Sequence, residues 1–186
     1  TFGHPADLAG LLRVCKSWNL SLVEDAAESL GSFYEGRHTG TFGEIAAVSF
    51  NGNKIITTGG GGMILCDAEV GKRAKHLTTT AKKPHPYEYV HDEVGYNYRL
   101  PNINAALGVA QLEQLPEFLA EKRALAMQYR NLLKDTEFQF VDEPKGCQSN
   151  FWLNAVLCPD EQSRNHLLEV TNAKNVMTRP VWQLMC

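Results

Sequence analysis

The side chains best suited to chemistry in this sequence are a carboxylate and an amine that each follow a predicted strand. Asp25 comes just after the short apolar run 20–23, between Glu24 and two alanines. These small neighbours would let a flat ligand approach the Asp25 carboxylate closely. Aspartate is also a common N-cap residue of helices, so a capping role for Asp25 remains an open alternative.

The amine is that of Lys54, which follows Gly52 and Asn53 in a loop directly after the predicted strand 45–50. A neutral lysine amine adds to an aldehyde, so a lysine that points into a pocket could carry out covalent carbonyl chemistry. The alternative is a solvated surface lysine, because burying an ammonium without a purpose is costly.

Four consecutive glycines, Gly59 to Gly62, follow the lysine and could wrap a phosphate with their backbone N–H groups. The Gly-x-x-x-x-Gly-Lys-Ser/Thr motif of nucleoside triphosphate sites is absent, since Lys54 precedes the glycines. The alternative for this run is a tight turn or bulge that leads into the next strand.

The elements that must position these residues alternate between helices and strands, which predicts an α/β protein. Helices are predicted at 5–18, with Pro5 in the first turn and one buried face, and at 68–77, 103–115, 116–133 and 160–173. Strands are predicted at 20–23, 45–50, 62–66, 138–141, 151–158 and 175–178. Residues 82–91 form a loop rich in proline, histidine and tyrosine that no regular element explains, and such loops are often functional.

Composition excludes several classes of protein. The net charge of -3 and the pI near 6.1 leave no basic surface for nucleic acid. The five cysteines are scattered without a C-x-x-C pair, so we expect a reduced, cytoplasmic protein without a structural metal. No apolar run is long enough to span a membrane. The chain begins at Thr1 without a methionine and ends just after a predicted strand, which indicates a fragment.

Four stretches in this order together resemble one family: Glu24-Asp-Ala-Ala-Glu-Ser29, Ser49-Phe-Asn-Gly-Asn-Lys54, Gly59 to Gly62, and Gly95-Tyr-Asn-Tyr-Arg-Leu100. The chain resembles the DegT/DnrJ/EryC1/StrS aminotransferases, which are fold type I pyridoxal-phosphate enzymes. It looks most like the branch that aminates position 4 of UDP-linked 4-keto sugars on the way to bacillosamine or legionaminic acid. The resemblance implies a central, mostly parallel sheet flanked by helices, with a smaller C-terminal α+β domain. Residues 1–115 would be the C-terminal part of the large cofactor-binding domain, and residues 116–186 the interdomain helix and a truncated small domain.

The resemblance also implies roles for individual residues. Lys54 matches the Schiff-base lysine, and Asp25 matches the carboxylate that pairs with the pyridine nitrogen of pyridoxal 5'-phosphate. Ser49 matches a hydroxyl that donates to the cofactor phosphate, and Asn97 an asparagine that the partner subunit contributes to the same phosphate. Glu28 stands where many relatives carry glutamine against the cofactor ring, and a carboxylate cannot donate a hydrogen bond unless it is protonated.

Candidate substrate contacts lie outside this set. His91 ends the loop 82–91 and could meet the sugar or its diphosphate, as could Arg99, whose fork suits phosphate or carboxylate. A structural ion pair is the alternative role for Arg99. Arg179, in the Thr-Arg-Pro-x-Trp stretch, matches a possible substrate-side contact, with simple packing as its alternative.

The function implied by the resemblance is transfer of an amino group from glutamate to a nucleotide-linked 4-keto-6-deoxy sugar, in a homodimer with shared active sites. Two alternatives use the same cofactor: a deoxysugar dehydratase and a non-catalytic, cofactor-binding regulatory protein. Relatives of the dehydratase type replace the lysine with histidine, and a regulatory protein would not need it. Lys54 therefore favours the aminotransferase.

Overall fold

A computed structural model describes residues 1–184 of the chain, which form two compact units. The first unit comprises Thr1–Leu125 and Glu143–Leu153, and the second comprises Ala126–Asp142 and the residues from Asn154 onward. The first unit combines helices with a central sheet that contains a parallel strand pair, so the predicted α/β class is confirmed.

The elements of the first unit are α1 (Leu8–Trp18), β1 (Val23–Asp25), β2 (Phe33–Tyr34), β3 (Arg37–His38), β4 (Ile45–Ser49), β5 (Gly62–Cys66), α2 (Ala68–Thr78), β6 (Lys82–Lys83), β7 (Val90–His91) and α3 (Asn102–Glu113). The helix α4 (Leu115–Leu133) begins in this unit and ends in the second. The second unit contains β8 (Gln139–Phe140), β10 (Val156–Leu157) and α5 (Glu161–Ala173), while β9 (Cys147–Gln148) belongs to the first.

Helix α1 begins three residues later than the sequence predicts. Asp7 is its N-cap, and the Asp7 carboxylate accepts a hydrogen bond from the backbone N–H of Gly10, so Pro5 lies before the helix. The expected buried face is also wrong, because Leu8 alone is buried, whereas Leu11 and Trp18 are 43% and 76% exposed. No described element packs over the outer side of this helix.

The central sheet has the strand order β1-β4-β5, with β1 parallel to β4 and β4 antiparallel to β5. The first strand lies at Val23–Asp25 and not at 20–23, and Val23 is 67% exposed because its side chain lies on the outward face of the sheet. The opposite face of the sheet is buried. It supplies Ala46 and Val48 to a core that also contains Ala26, Phe50 and Ile56.

Glu24 is a buried carboxylate on that inner face. Its two oxygens accept hydrogen bonds of 2.6, 2.6 and 2.7 Å from the backbone N–H groups of Gly40, Phe42 and Gly43. A buried charge is tolerated where it is hydrogen-bonded in this way. Glu24 therefore ties the loop 40–43 to β1, the strand that ends at Asp25.

The segment 82–91 is predicted to be a loop without regular structure. In the structure it contains a short antiparallel pair of strands, β6 and β7. The ammonium of Lys82 lies 4.0 Å from the centre of the Tyr89 ring and joins the two strands. Strands of two residues carry too little pattern to be read from sequence, which explains the wrong expectation.

In the second unit, β8 pairs with β10 in antiparallel fashion, and α5 begins after the N-cap Asp160, as predicted. The predicted strand 151–158 is reduced to Val156–Leu157, and residues 175–178 form no strand. There the side-chain amide of Asn172 donates to the Thr178 carbonyl and folds the chain back onto α5. None of the described helices is both long and apolar enough to cross a membrane.

Candidate active site

Asp25 and Ser49 lie at the same edge of the sheet. Each is the last residue of its strand, and because β1 and β4 are parallel their carboxyl ends coincide. Asp25 is in register with Ala47, and side chains alternate along a strand, so Asp25, Ala47 and Ser49 face the same side. Asp25 is exposed on this side, and Ser49 lies two residues further along β4 than the register partner of Asp25.

Asp25 does not cap a helix, so that alternative is wrong. Its carboxylate accepts a hydrogen bond of 3.1 Å from the backbone N–H of Ala27, and a turn follows in place of a helix. This local bond orients one oxygen of Asp25 and leaves further lone pairs available to a ligand.

The loop that carries Lys54 is anchored at both ends. Ile56 and Thr58 are both 1% exposed, and the backbone N–H of Thr58 donates to the Phe50 carbonyl at 3.0 Å. The backbone N–H of Lys54 itself donates to the Asn51 carbonyl at 3.1 Å. The loop is therefore a fixed support for Lys54, although no regular element contains it.

The amine of Lys54 is held by two side chains. Its Nζ makes an ion pair with Glu28, and it lies 4.3 Å from the centre of the Trp152 ring. The Lys54 side chain is only 12% exposed. A solvated surface lysine is therefore excluded, and Glu28 contacts the amine of the candidate catalytic lysine.

Trp152 was not found from the sequence, where it fell inside a predicted strand. It is buried, and its indole N–H donates to the backbone carbonyl of Asn53 at 2.7 Å. The tryptophan thus contacts both Lys54 and the residue before it. Its position almost one hundred residues further along the chain gave no local sign of this contact.

Asn150 connects the tryptophan to the segment that carries Glu28. Asn150 is fully buried, and its amide nitrogen donates to the carbonyls of Glu28 and Leu30 at 2.8 and 2.9 Å. Its amide oxygen accepts from the backbone N–H of Trp152 at 2.8 Å. Phe151, between the two, has a positive φ of 47°, an uncommon conformation for a side chain of this size.

The glycine run forms a tight turn into β5, as its structural alternative predicted. Gly59 and Gly61 have φ of 81° and 97°, and a side chain on Gly62 would lie 2.4 Å from the Val48 carbonyl oxygen. The amide nitrogen of Asn104 donates to the Thr58 carbonyl at 2.6 Å, which ties the turn to α3.

Three other predicted residues converge on a different place, the end of α2. Asn97 forms a β-bridge with Thr79, and Arg99 donates to the Thr79 carbonyl at 3.3 Å. The His91 ring nitrogen lies 2.6 Å from the Thr80 carbonyl. Within residues 1–184 none of the three contacts Lys54, and no carboxylate pairs with Arg99.

Arg179 lies in the second unit and is exposed. Its guanidinium is 3.6 Å from the Met177 sulfur, two residues before it.

Comparison with known proteins identifies the family. The sequence model described as the DegT/DnrJ/EryC1/StrS aminotransferase family matches residues 1–186. The chain belongs to this family. Pyridoxal phosphate is the cofactor of the family, and its aminotransferases act on sugars.

Individual relatives support this assignment. The chain is 40% identical over 182 residues to the GDP-perosamine synthase of Escherichia coli O157:H7, covering 97% of this chain and 50% of that protein. It is 38% identical over 184 residues to EpsN of Bacillus subtilis (strain 168), covering 98% and 47%. The chain therefore spans about half the length of the curated relatives it matches.

A solved structure shows the same fold. Helicobacter pylori PseC, an aminotransferase involved in the biosynthesis of pseudoaminic acid, superposes with a TM-score of 0.89 at 25% identity. The match covers 99% of this chain and 52% of PseC.

The side chains at the sheet edge fit the family's cofactor. Pyridoxal phosphate presents an aldehyde, a pyridine nitrogen and a phosphate, which call for an amine, a carboxylate and hydrogen-bond donors. Lys54 supplies a largely buried amine, Asp25 an exposed carboxylate with free lone pairs, and Ser49 a hydroxyl on the same face as Asp25. The donor set of this chain is thus consistent with a pyridoxal-phosphate site.

Proposed function

We propose that the protein containing this chain transfers an amino group from glutamate to a nucleotide-linked 4-keto-6-deoxy sugar. The observation that carries the proposal is the amine of Lys54, which is largely buried and held by Glu28 and Trp152 in the loop after β4, the strand that ends at Ser49. A largely buried lysine amine is suited to covalent carbonyl chemistry, whereas a lysine that only keeps a protein soluble lies in solvent.

Each residue of the chain has a proposed task. Lys54 binds the cofactor aldehyde covalently and, once released, moves a proton to and from the substrate carbon. Asp25 keeps the pyridine nitrogen protonated, and Ser49 donates to the phosphate. When bound, the cofactor supplies an electron sink for the substrate carbanion. Glu28, which contacts the lysine amine, would be placed to meet the cofactor ring.

Other contacts complete the site. Asn97 is proposed to reach the cofactor phosphate of the partner subunit in a homodimer, which agrees with its exposed place away from Lys54. Arg99, His91 and Arg179 are proposed to contact the sugar or its diphosphate. Residues 1–115 would then belong to the large cofactor-binding domain, and residues 116–186 to the interdomain helix and the small domain.

The most specific part of the proposal is the nucleotide to which the sugar is linked. The sequence resemblance favours a UDP-linked sugar, whereas the relative at 40% identity is a GDP-perosamine synthase. UDP-linked and GDP-linked 4-keto sugars are therefore both substrates to test, and the differing pocket contacts decide between them.

The test uses the natural full-length protein and a Lys54→Ala variant, with Lys16→Ala as the matched control, because Lys16 is exposed on α1. After addition of pyridoxal phosphate, a visible absorbance band of bound cofactor is expected in the wild type and in Lys16→Ala. The band should be absent from Lys54→Ala. Spectra that are identical in all three proteins would contradict the role of Lys54 and, with it, the proposed function.

A second measurement tests the substrate. The wild type is incubated with glutamate and either a UDP-linked or a GDP-linked 4-keto-6-deoxy sugar, and mass spectrometry follows conversion of the ketone to an amine. Product with one nucleotide identifies the substrate class. No amine with either sugar, in a protein that shows the cofactor band, would contradict the sugar aminotransferase proposal.

A further inference from the structure

The amine of Lys54 lies between two side chains of opposite character. On one side is the carboxylate of Glu28, which is 28% exposed, and on the other is the face of the buried Trp152 ring. A carboxylate and a ring face both attract a positive charge and both do little for a neutral amine. Glu28 and Trp152 therefore hold the Lys54 nitrogen from two sides.

Other contacts hold the Trp152 ring and the backbone that carries Glu28. The Trp152 indole N–H donates to the Asn53 carbonyl, and the Trp152 backbone carbonyl accepts from the Lys122 ammonium at 3.4 Å. The backbone carbonyl of Glu28 accepts from the buried amide of Asn150 at 2.8 Å. The ring and the backbone of Glu28 are therefore positioned by groups other than the Lys54 amine.

We infer that Glu28 and the Trp152 ring form a docking site for the Lys54 ammonium, occupied whenever this nitrogen is not covalently bound. The inference rests on the proposed function, because that function requires Lys54 to be released in one half of the reaction and to return in the other. A lysine freed into solvent would sample many rotamers, whereas a docked lysine stays within reach of the reacting carbon. Glu28 and Trp152 are positioning residues in this account, since they act through Lys54.

The experiment measures the reactivity of the Lys54 amine directly. Full-length protein freed of cofactor is treated with limiting formaldehyde and cyanoborohydride, and labelling of Lys54 and of the exposed Lys174 is quantified by peptide mass spectrometry. A Lys54 nitrogen held by Glu28 and Trp152 meets the reagent less often than a free one, so loss of either partner should raise its labelling rate. Labelling of Lys174 measures the activity of the reagent, so its rate should be the same in every variant.

The variants separate charge from packing. Glu28→Gln should raise Lys54 labelling about tenfold, because the Lys54 nitrogen loses the charged partner that holds it and becomes free to meet the reagent. Trp152→Leu should raise it about threefold, and Trp152→Phe by less, since phenylalanine keeps a ring face. The matched controls Glu117→Gln and Trp18→Leu change exposed residues and should leave the rate as in the wild type.

If the Trp152 variants acted only by loosening the packing, a different pattern is expected. The Lys54 labelling rates of Trp152→Phe and Trp152→Leu would then follow the melting temperatures of the two variants. Equal Lys54 labelling in the wild type, Glu28→Gln and Trp152→Leu would overturn the inference. Labelling that follows the melting temperature and not the presence of a ring would also overturn it. The cofactor band of the wild type is a separate readout: its absence, together with the expected labelling, would support the docking site and count against the proposed function.

Discussion

The surroundings of Lys54 and the segment 79–99 are organised in opposite ways. Lys54 is held by Glu28 and Trp152, residues that lie 26 and about 98 positions away along the chain, and its side chain is largely buried. Asn97, His91 and Arg99 bond to the nearby backbone of Thr79 and Thr80 and are exposed.

The two regions differ in whether their polar side chains are enclosed by other parts of the same chain. The polar groups around Lys54 already have partners within the described chain, whereas His91, Asn97 and Arg99 are exposed in a segment that also carries exposed aromatic residues. Tyr96 and Tyr98 stack there at 5.3 Å and are 51% and 73% exposed. A surface of this kind is suited to contact with another subunit, which agrees with the proposed sharing of sites.

The largest effect is expected at Lys54. Lys54→Ala should lower kcat by at least about a thousandfold, because both covalent binding of the cofactor and proton transfer are lost. Arg99→Ala should mainly raise KM for the nucleotide sugar, since its proposed role is to bind substrate. Steady-state kinetics of both full-length variants test the contrast, and a large drop in kcat for Arg99→Ala with unchanged KM would contradict it.

Stability should differ between the two regions as well. Asn150→Ala leaves the carbonyls of Glu28 and Leu30 and the N–H of Trp152 without their buried partner, so the free energy of unfolding should fall by about 3 kcal/mol. Asn97→Ala, at an exposed position, should change it by less than about 0.5 kcal/mol. Urea denaturation of both variants gives the comparison, and similar losses would mean that Asn150 is not central to this region.

Sharing of sites between subunits gives a smaller but distinctive effect. Asn97→Asp should weaken cofactor binding, because it places a carboxylate against the phosphate. If Lys54 and Asn97 in one site come from different subunits, mixing inactive Lys54→Ala with Asn97→Asp produces hybrid dimers that contain one intact site. About a quarter of the wild-type rate is then expected after random exchange of subunits.

The control for this experiment is a mixture of Lys54→Ala with Asp25→Ala. Both residues lie in the same chain near one edge of the sheet, so no hybrid dimer has an intact site and no activity should return. Recovery in this control, or none with Asn97→Asp, would contradict the proposed division of the site between subunits.

The local part of the site could be predicted from the sequence, and the long-range part could not. Strands β4 and β5 and helix α2 were predicted to within one residue, because apolar patterns and turn residues mark them locally. The common edge of Asp25 and Ser49 then follows from two parallel strands. The contacts of Trp152 and Asn150 join segments about one hundred residues apart, and no local pattern encodes such a pairing.

Exposure was predicted less well than secondary structure. Apolar residues of α1 and β1 were expected to be buried, because apolar side chains at regular spacing usually face a core. In the described chain Leu11, Trp18 and Val23 are 43%, 76% and 67% exposed. Spacing shows that a face is apolar, but it does not show which surface covers the face.

The smallest effect is expected in the hairpin that precedes Asn97. There the His76 ring hydrogen-bonds to Asp92 and the Arg73 guanidinium binds Glu93, and these contacts hold the pKa of both carboxyl groups below its usual value. A carboxyl group whose pKa is lowered by folding stabilises the folded state at pH values above its ordinary pKa of about 4. This stabilisation is lost as the pH falls through the lowered pKa of the folded state. Below about pH 4, hydrogen exchange of the amides in β6 and β7 should therefore accelerate before that of β4 and β5.

Glu93→Gln removes one of the two carboxylates and should make hairpin exchange less dependent on pH in this range, while β4 and β5 serve as the internal control. The hairpin is exposed, and exposed ion pairs contribute little to stability, so the change in exchange rate should be small. If both pairs of strands lost protection at the same pH, the ion pairs around His76 would have no local role. A selective loss would show that the outward-facing region is held by charge, whereas the Lys54 region is held by buried hydrogen bonds.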